Sequence, residues 1–300
     1  MASTNDRVAL PAKVYAFGMH HSAGMIADLS RRAYEYRAQV LRMVYGRKSG
    51  HIGGAFSIAE ILCCLYFHQM RVDPARAELP DRDRLVFSKG HACAMLYTVL
   101  AHRGYFPVEE LETFRALNSR LQGHPEPAKT PGIEAAAGPL GHGVAIGAGM
   151  ALAARMEKSK RRTYVVLGDG ELNSGVIWEG AMVAAKYGLD NLTVIVDYNG
   201  VQQTGTTQQI MPTEPIAAKW ASFNWHVIEI HGHSVAEILT ALDTAHEMHG
   251  RPVVIIARTT KGKGVSFMEN SPAWHGGVPT NEQFQEALAE LEEEARQWSA

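Results

Sequence analysis

Residues 165–201 read VVLGDGELNSGVIWEGAMVAAKYGLDNLTVIVDYNGV, and the fold follows from them. Two β-branched runs, 164–167 and 192–196, flank a helical pattern, which together make a βαβ unit. Gly168-Asp169-Gly170 follows the first run and Asp197-Tyr198-Asn199-Gly200 the second. Parallel neighbours end at one carboxyl edge, where open α/β sheets bind ligands, so Asp169 and Asn199 are expected side by side there. A carboxylate and an amide oxygen on tight glycine turns suit a hard cation that leaves room for phosphate oxygens. That chemistry favours Mg²⁺ over zinc. Either turn alone also reads as an ordinary strand-closing turn. The two together, one strand-helix-strand unit apart, point to a metal–diphosphate site.

Working outward, further strands are expected at 84–87, 225–230 and 252–257, and an early helix over 29–45. Capping-box patterns, in which a hydroxyl and a side chain three residues on satisfy free amides, predict three helix starts. Ser57 with Glu60 opens a helix through Phe67, Ser234 with Glu237 one to about His249, and Thr280 with Gln283 the C-terminal helix. Residues 135–154, with five glycines and one proline, read as a packed loop and a small-residue helix. Strands alternating with helices indicate an α/β fold, a mostly parallel central sheet with helices on both faces. No repeat, low-complexity tract or linker divides the chain, so residues 1–300 are expected to form one domain, with about 1–28 as an N-terminal extension.

Two other phosphate motifs fail. Gly168-x-Gly170 has Asn173 where a dinucleotide fingerprint needs its third glycine, and Gly141-x-Gly143 has its next glycine one position late, at Gly147. Lys261-Gly262-Lys263-Gly264 lacks the Ser or Thr that follows the lysine of a P-loop. A net charge of −2 with no Lys/Arg block argues against nucleic acid or an anionic membrane as the main partner. The opening MASTNDRVALPAKV has no long apolar core, so no secretory signal is expected and the location is read as cytoplasmic. Cys63, Cys64 and Cys93 show no CxxC spacing and are expected as buried free thiols.

Of fourteen histidines, His20, His21, His246 and His249 sit in polar surroundings and suggest no role, and His226, His231 and His233 flank a strand end. His51, His91, His124 and His275 differ because each adjoins glycine in an irregular segment. Glycine lets backbone approach a ligand closely, and imidazole can hydrogen-bond phosphate or move protons near neutral pH. From the residues alone, structural and functional readings of these four both stay open.

GDG followed thirty positions later by N resembles the thiamine diphosphate–Mg²⁺ motif. The surrounding segments are Ser49-Gly50-His51-Ile52-Gly53-Gly54, Ser88-Lys89-Gly90-His91, Gly123-His124-Pro125, Gly138-Pro139-Leu140-Gly141 and Lys261 to Phe267 followed by Trp274-His275-Gly276. In their order they are similar to the N-terminal half of a transketolase, in the version split over two polypeptides, across about residues 30–280. The resemblance implies thiamine diphosphate and Mg²⁺ as cofactors, with Asp169, Asn199 and the Val201 carbonyl as metal ligands. It implies that Gly170 contacts the diphosphate, and that Gly138, Pro139 and Leu140 form the loop against the thiamine. Histidines matching His51, His124 and His275 line the substrate channel, and those matching His91 and His275 approach the cofactor. His275, assisted by His51, is the implied group for the hydroxyl proton of a ketose.

In the family a glutamate on a pyrimidine-binding domain helps form the reactive carbanion, and that domain is not matched here. A C-terminal subunit carrying it, in a two-plus-two heterotetramer with the cofactor at the interface, is therefore expected. Ser174 stands where relatives carry a glutamate of a carboxylate chain between paired active sites, which leaves Glu179, matching a second carboxylate of that chain, as the remaining candidate. His142 stands where many relatives have glutamine, in the cofactor loop. The expected activity is transfer of a two-carbon ketol unit between sugars. Two other classes stay open: the α-subunit of a thiamine-dependent 2-oxo acid dehydrogenase, which shares GDG…N without needing four glycine-flanked histidines, and a non-catalytic assembly module.

Overall fold

The structure, a computed structural model, describes residues 21–299; His20 and most of the expected N-terminal extension lie outside them. Five parallel strands form one sheet in the order β1-β2-β3-β5-β4. They are β1 (Arg84–Phe87), β2 (Thr163–Gly168), β3 (Leu192–Tyr198), β4 (His226–His231) and β5 (Val253–Arg258). Ten α-helices accompany them among the described residues: α1 (Ala23–Arg47), α2 (Ile52–Phe56), α3 (Ala59–Cys64), α4 (Cys93–Arg103), α5 (His142–Met156), α6 (Gly175–Lys186), α7 (Thr207–Ile210), α8 (Ile216–Ser222), α9 (Val235–Glu247) and α10 (Asn281–Gln297).

Because side chains alternate along a strand, each strand feeds two cores. Tyr164, Val166, Ile195, Val253 and Ile255 join residues of α1, α3, α4 and α9 on one face. Val165, Leu167, Val194, Val196, Val254 and Ile256 join residues of α5, α6 and α8 on the other. Burial on both faces is why these strands read as continuous apolar runs. The small residues of α5 let it lie close to its neighbours. A Cβ on Gly147 would run into a Val165 methyl, and one on Gly180 of α6 would come within 2.8 Å of the Ala145 amide.

The expected helix starts fare differently. Thr280 and Gln283 form both bonds of a capping box at α10. Ser234 accepts from the Glu237 amide, but the Glu237 carboxylate turns to the His231 amide instead, so only half a box forms at α9. Ser57 opens no helix: it closes α2, its amide donating to the Gly53 carbonyl, and its hydroxyl donates to the Gly54 carbonyl and to Asp197. Glu60 is drawn inward to Arg37 and His233, and the expected helix from Ser57 to Phe67 is one short helix, α3, that runs into a π-turn, Leu65–Gln69. A box at Thr206 and Gln209 went unforeseen. The three cysteines are buried and free, and no helix among the described residues is long and apolar enough to cross a membrane.

Candidate active site

The register pairs Gly168 with Asp197, so the turns after β2 and β3 lie together at the carboxyl edge. Asp169 bridges them. Its Oδ1 accepts from the Gly170 amide at 2.7 Å and its Oδ2 from the Gly200 amide at 2.6 Å. Gly200 has φ +73°, a conformation that favours glycine, which is why the second turn needs one there. Asn199 Oδ1 accepts from the Val201 amide at 3.1 Å, while its Nδ2 donates to Asp197 at 3.3 Å. Asp197 thus fixes which end of the Asn199 amide faces the turn.

Asp197 is fully buried and holds the floor of the site. It accepts from Lys89 Nζ, Ser57 Oγ, Thr259 Oγ1 and Asn199. Burial alone would raise its carboxyl, but the Lys89 ammonium and the hydroxyl donors outweigh that and hold it below the ordinary value. Asp169 has no such counter-ion. Burial, then the charge of Asp197, pushes it up to about 6, and no cationic side chain forms an ion pair with it among the described residues. A buried carboxylate that lacks a cation, with amide and carbonyl oxygens beside it, is a donor set for a divalent hard metal ion. In that sense the residues fit Mg²⁺.

Two expected contacts are already engaged. Lys261 Nζ donates to the carbonyls of Val201 at 3.2 Å and Gln202 at 3.0 Å, so a metal at Val201 would share or displace the ammonium. The Gly170 amide is turned to Asp169, so an anion there would share that donor. Burial, followed by repulsion from Lys89, lowers Lys261 to about 8. An additional negative charge in the cleft would relieve this, as a diphosphate does.

Beside Lys261, three imidazoles pack together. His91 and His275 stack at 5.1 Å between centroids, and His51 stands edge-on to both, at 5.4 and 5.3 Å. Burial first, then neighbouring positive charges, lowers His51 and His275 to about 4 and His91 well below its usual value, so all three are neutral at pH 7. Their tautomers follow from their partners. Lys261 Nζ lies 2.9 Å from His275 Nδ1, and Arg115 Nη2 lies 3.4 Å from His51 Nδ1. Lysine and arginine only donate, so both Nδ1 atoms accept and the ring proton sits on Nε2. His124 stays at the exposed rim, outside the trio, yet its charge would still be felt by His51.

The loop ahead of α5 is held from below. The buried Glu171 carboxylate accepts from Ser88 Oγ and from the amides of Gly141, at 2.7 Å, and Gly168, at 3.1 Å. Gly138, Pro139 and Leu140 are left exposed, Leu140 at 45%. An exposed apolar side chain on an anchored loop beside a polar cleft suits the flat face of a ring. His142 Nδ1 donates to the Leu140 carbonyl at 3.2 Å and braces the loop. Glu179 is not brought into the cleft: it is exposed on α6, with no ion pair among the described residues.

Lys89, Lys261 and Asp197 lie in the segments that the sequence singles out, but nothing in the sequence gave them roles, and Glu171, Ser88, Arg115 and Thr259 gave no sign of theirs. Lysines inside glycine-rich segments were the available signal for the first two. Glu60 and His233 were hidden as well. His233 accepts the Thr260 amide on Nε2 at 2.8 Å, and its other nitrogen meets Glu60, which pairs with Arg37. This buried chain steadies the residue next to Lys261.

Comparison with known proteins gives concordant results. The profile of the family described as "Transketolase, thiamine diphosphate binding domain" matches residues 30–295. An apulose-4-phosphate transketolase subunit from Phocaeicola vulgatus is 42% identical over 268 residues, 89% of this chain and 95% of that one. A 6-deoxy-6-sulfo-D-fructose transketolase subunit from a Clostridium species is 43% identical over 267 residues, 89% and 97% of the two chains. The crystal structure of a transketolase point mutant from Pichia stipitis superposes with a TM-score of 0.81 at 30% identity. The match covers 91% of this chain but only 46% of the yeast one.

Proposed function

This chain belongs to the transketolase family through its thiamine diphosphate-binding domain, and we propose that it is one subunit of a split transketolase, completed by a C-terminal partner. The observation that carries the reading is the Asp169–Asn199 junction, set beside two buried lysines and three neutral histidines in one cleft. The chain spans just under half of the solved transketolase, whereas it covers nearly all of relatives named as subunits. That contrast supports a missing half carried by another polypeptide, which we place in an α2β2 assembly. The dehydrogenase and assembly-module readings are not favoured by these relatives.

In the proposed reaction the bond between C2 and C3 of a ketose breaks, the shortened aldose departs, and the two-carbon unit joins the aldehyde carbon of an acceptor sugar. Thiamine diphosphate, when bound, supplies the nucleophilic carbon and the electron sink for this chemistry. Asp169, Asn199 and the Val201 carbonyl would hold Mg²⁺, and Lys261 and His91 would face the diphosphate. Gly138, Pro139 and Leu140 would present backbone and an apolar side chain to the thiamine ring.

The histidines divide the proton work. With its Nδ1 occupied by Lys261, His275 offers Nε2–H to a substrate oxygen, and His51 does the same from beside Arg115. Both therefore act first as donors that stabilise charge developing on a carbonyl or alkoxide oxygen. His275 takes a hydroxyl proton only where that contact with Lys261 is released, which revises the simple base expected from sequence. His124 at the rim would meet the distal hydroxyls. Glu179 takes no chemical step in this scheme; exposed on α6, it is left, like Ser174, for contact between copies.

The test is calorimetric titration of thiamine diphosphate with Mg²⁺ into the chain alone and with its co-expressed partner, followed by a ketose screen that includes apulose-4-phosphate and 6-deoxy-6-sulfo-D-fructose. Tight binding only with the partner, abolished by Asp169→Ala, is the expected result. Full activity of the chain alone would refute the split assembly, and no binding in either state would refute the cofactor site.

A further inference from the structure

None of His21, His68 and Asp243 hydrogen-bonds to a residue of the cleft, yet each brings one donor atom to within 4.8 Å of the other two. His21 stands one residue ahead of Ser22, the N-cap of α1; His68 lies in the π-turn Leu65–Gln69; and Asp243 lies in α9. His21 Nε2 is 2.8 Å from Asp243 Oδ2, with those side chains only 10% and 17% exposed. The His21 and His68 rings meet edge to face at 5.2 Å, and His68 is open to solvent.

We propose that these three side chains form a second metal site, for a transition-metal cation of the zinc class, with water completing the shell. Two imidazoles and one carboxylate suit zinc, cobalt or nickel far better than Mg²⁺ or Ca²⁺, which take all-oxygen shells. Zinc bonds of about 2.0–2.1 Å place neighbouring tetrahedral ligands about 3.3 Å apart. The His21–Asp243 contact is already close to that spacing, so His68 alone has to close in. Being exposed, it can do so by a rotamer change without disturbing packing. The widened turn is a second pointer, since single π-turns recur where a helix presents a side chain for function. A metal here would tie the chain ahead of α1 to α9 and to the π-turn after α3, where the His21–Asp243 bond at present joins only the first two.

The full chain, free of any affinity tag and of thiamine diphosphate, is titrated with Zn²⁺ by calorimetry and with Co²⁺ by visible absorption. One equivalent bound, a cobalt d–d band and a higher melting temperature with zinc are expected, with no competition from millimolar Mg²⁺. His68→Ala, which removes an exposed side chain and leaves the fold intact, should weaken binding by at least about tenfold, and Asp243→Asn likewise. Undiminished binding in His68→Ala would place the metal away from this corner and overturn the proposal. No binding at all would leave His21–Asp243 a plain hydrogen bond and overturn it equally.

Discussion

Lys261 Nζ lies 2.9 Å from His275 Nδ1, and this contact sets the tautomer of the histidine and adds to the burial that keeps it neutral. Burial first and the Lys261 charge second hold His275 at about 4, which keeps it neutral and leaves its proton on Nε2.

Lys261→Met should therefore move His275 upward, toward the ordinary imidazole value. In the reconstituted enzyme the acid limb of the kcat/KM profile is expected to shift up by about one pH unit. The rate at neutral pH should fall about 100-fold, the scale of losing one oriented hydrogen-bond donor to a developing oxyanion, because nothing then holds the His275 proton on Nε2. A pH–rate profile, with NMR titration of the His275 ring, checks it; an unmoved acid limb would count against the tautomer assignment.

Asp169→Asn should destroy the cofactor site and remove a pH-dependent cost of folding. In the fold Asp169 titrates at about 6, above its usual 3.8, so folding favours its protonated form relative to the unfolded chain. The cost of ionising it is absent below about pH 4 and complete above about pH 6, where it reaches about 3 kcal/mol. The melting temperature without metal, taken relative to the parent, should rise from pH 4 to pH 7.5, although a single amide oxygen can accept from only one of the Gly170 and Gly200 amides. Calorimetry should show Mg²⁺-dependent thiamine diphosphate binding lost.

Glu171→Ala leaves Ser88 Oγ and the Gly141 and Gly168 amides without their shared acceptor. A loss of about 2–4 kcal/mol is expected, read from the urea midpoint. The freed loop at 138–141 should also weaken cofactor binding in the reconstituted enzyme. Glu171→Gln, which keeps an acceptor oxygen, should lose less of both.

Gly90→Ala tests how tightly the segment around His91 is pressed on the cofactor loop. The new Cβ would run into the Ala137 carbonyl oxygen, a backbone atom that cannot swing aside. About 2 kcal/mol of destabilisation is expected in chemical denaturation. An unchanged denaturation midpoint would show that the two segments can part freely.

Much of this site could be read along the chain because it is built from local chemistry. Continuous β-branched runs, buried on both faces, wrote the strands, and glycine turns wrote their ends. The parallel register then placed Asp169 next to Asn199, with Asp169 bonding the Gly200 amide. The glycine-flanked histidines were equally visible, and three of the four meet in one stack. His124 stops at the rim, because adjacency to glycine says nothing about depth.

What the sequence determined by itself was the α/β architecture, the strand-end junction that suits a divalent cation, and the set of histidines from which a cleft could be made. Those follow from periodicity and turn preference, which act over a few residues. The tertiary structure decided how each group is charged and aimed: Lys89 under Asp197, Lys261 on His275, Glu171 beneath the Gly141 loop, and Ser57 turned from helix cap to floor donor. The bonds of Lys89, Glu171 and Ser57 join residues 30 to 140 positions apart. The Lys261–His275 contact spans only 14 positions, but it too depends on how the loop is folded. Burial strengthens the field between charges and shifts their protonation, and burial exists only once distant segments have packed.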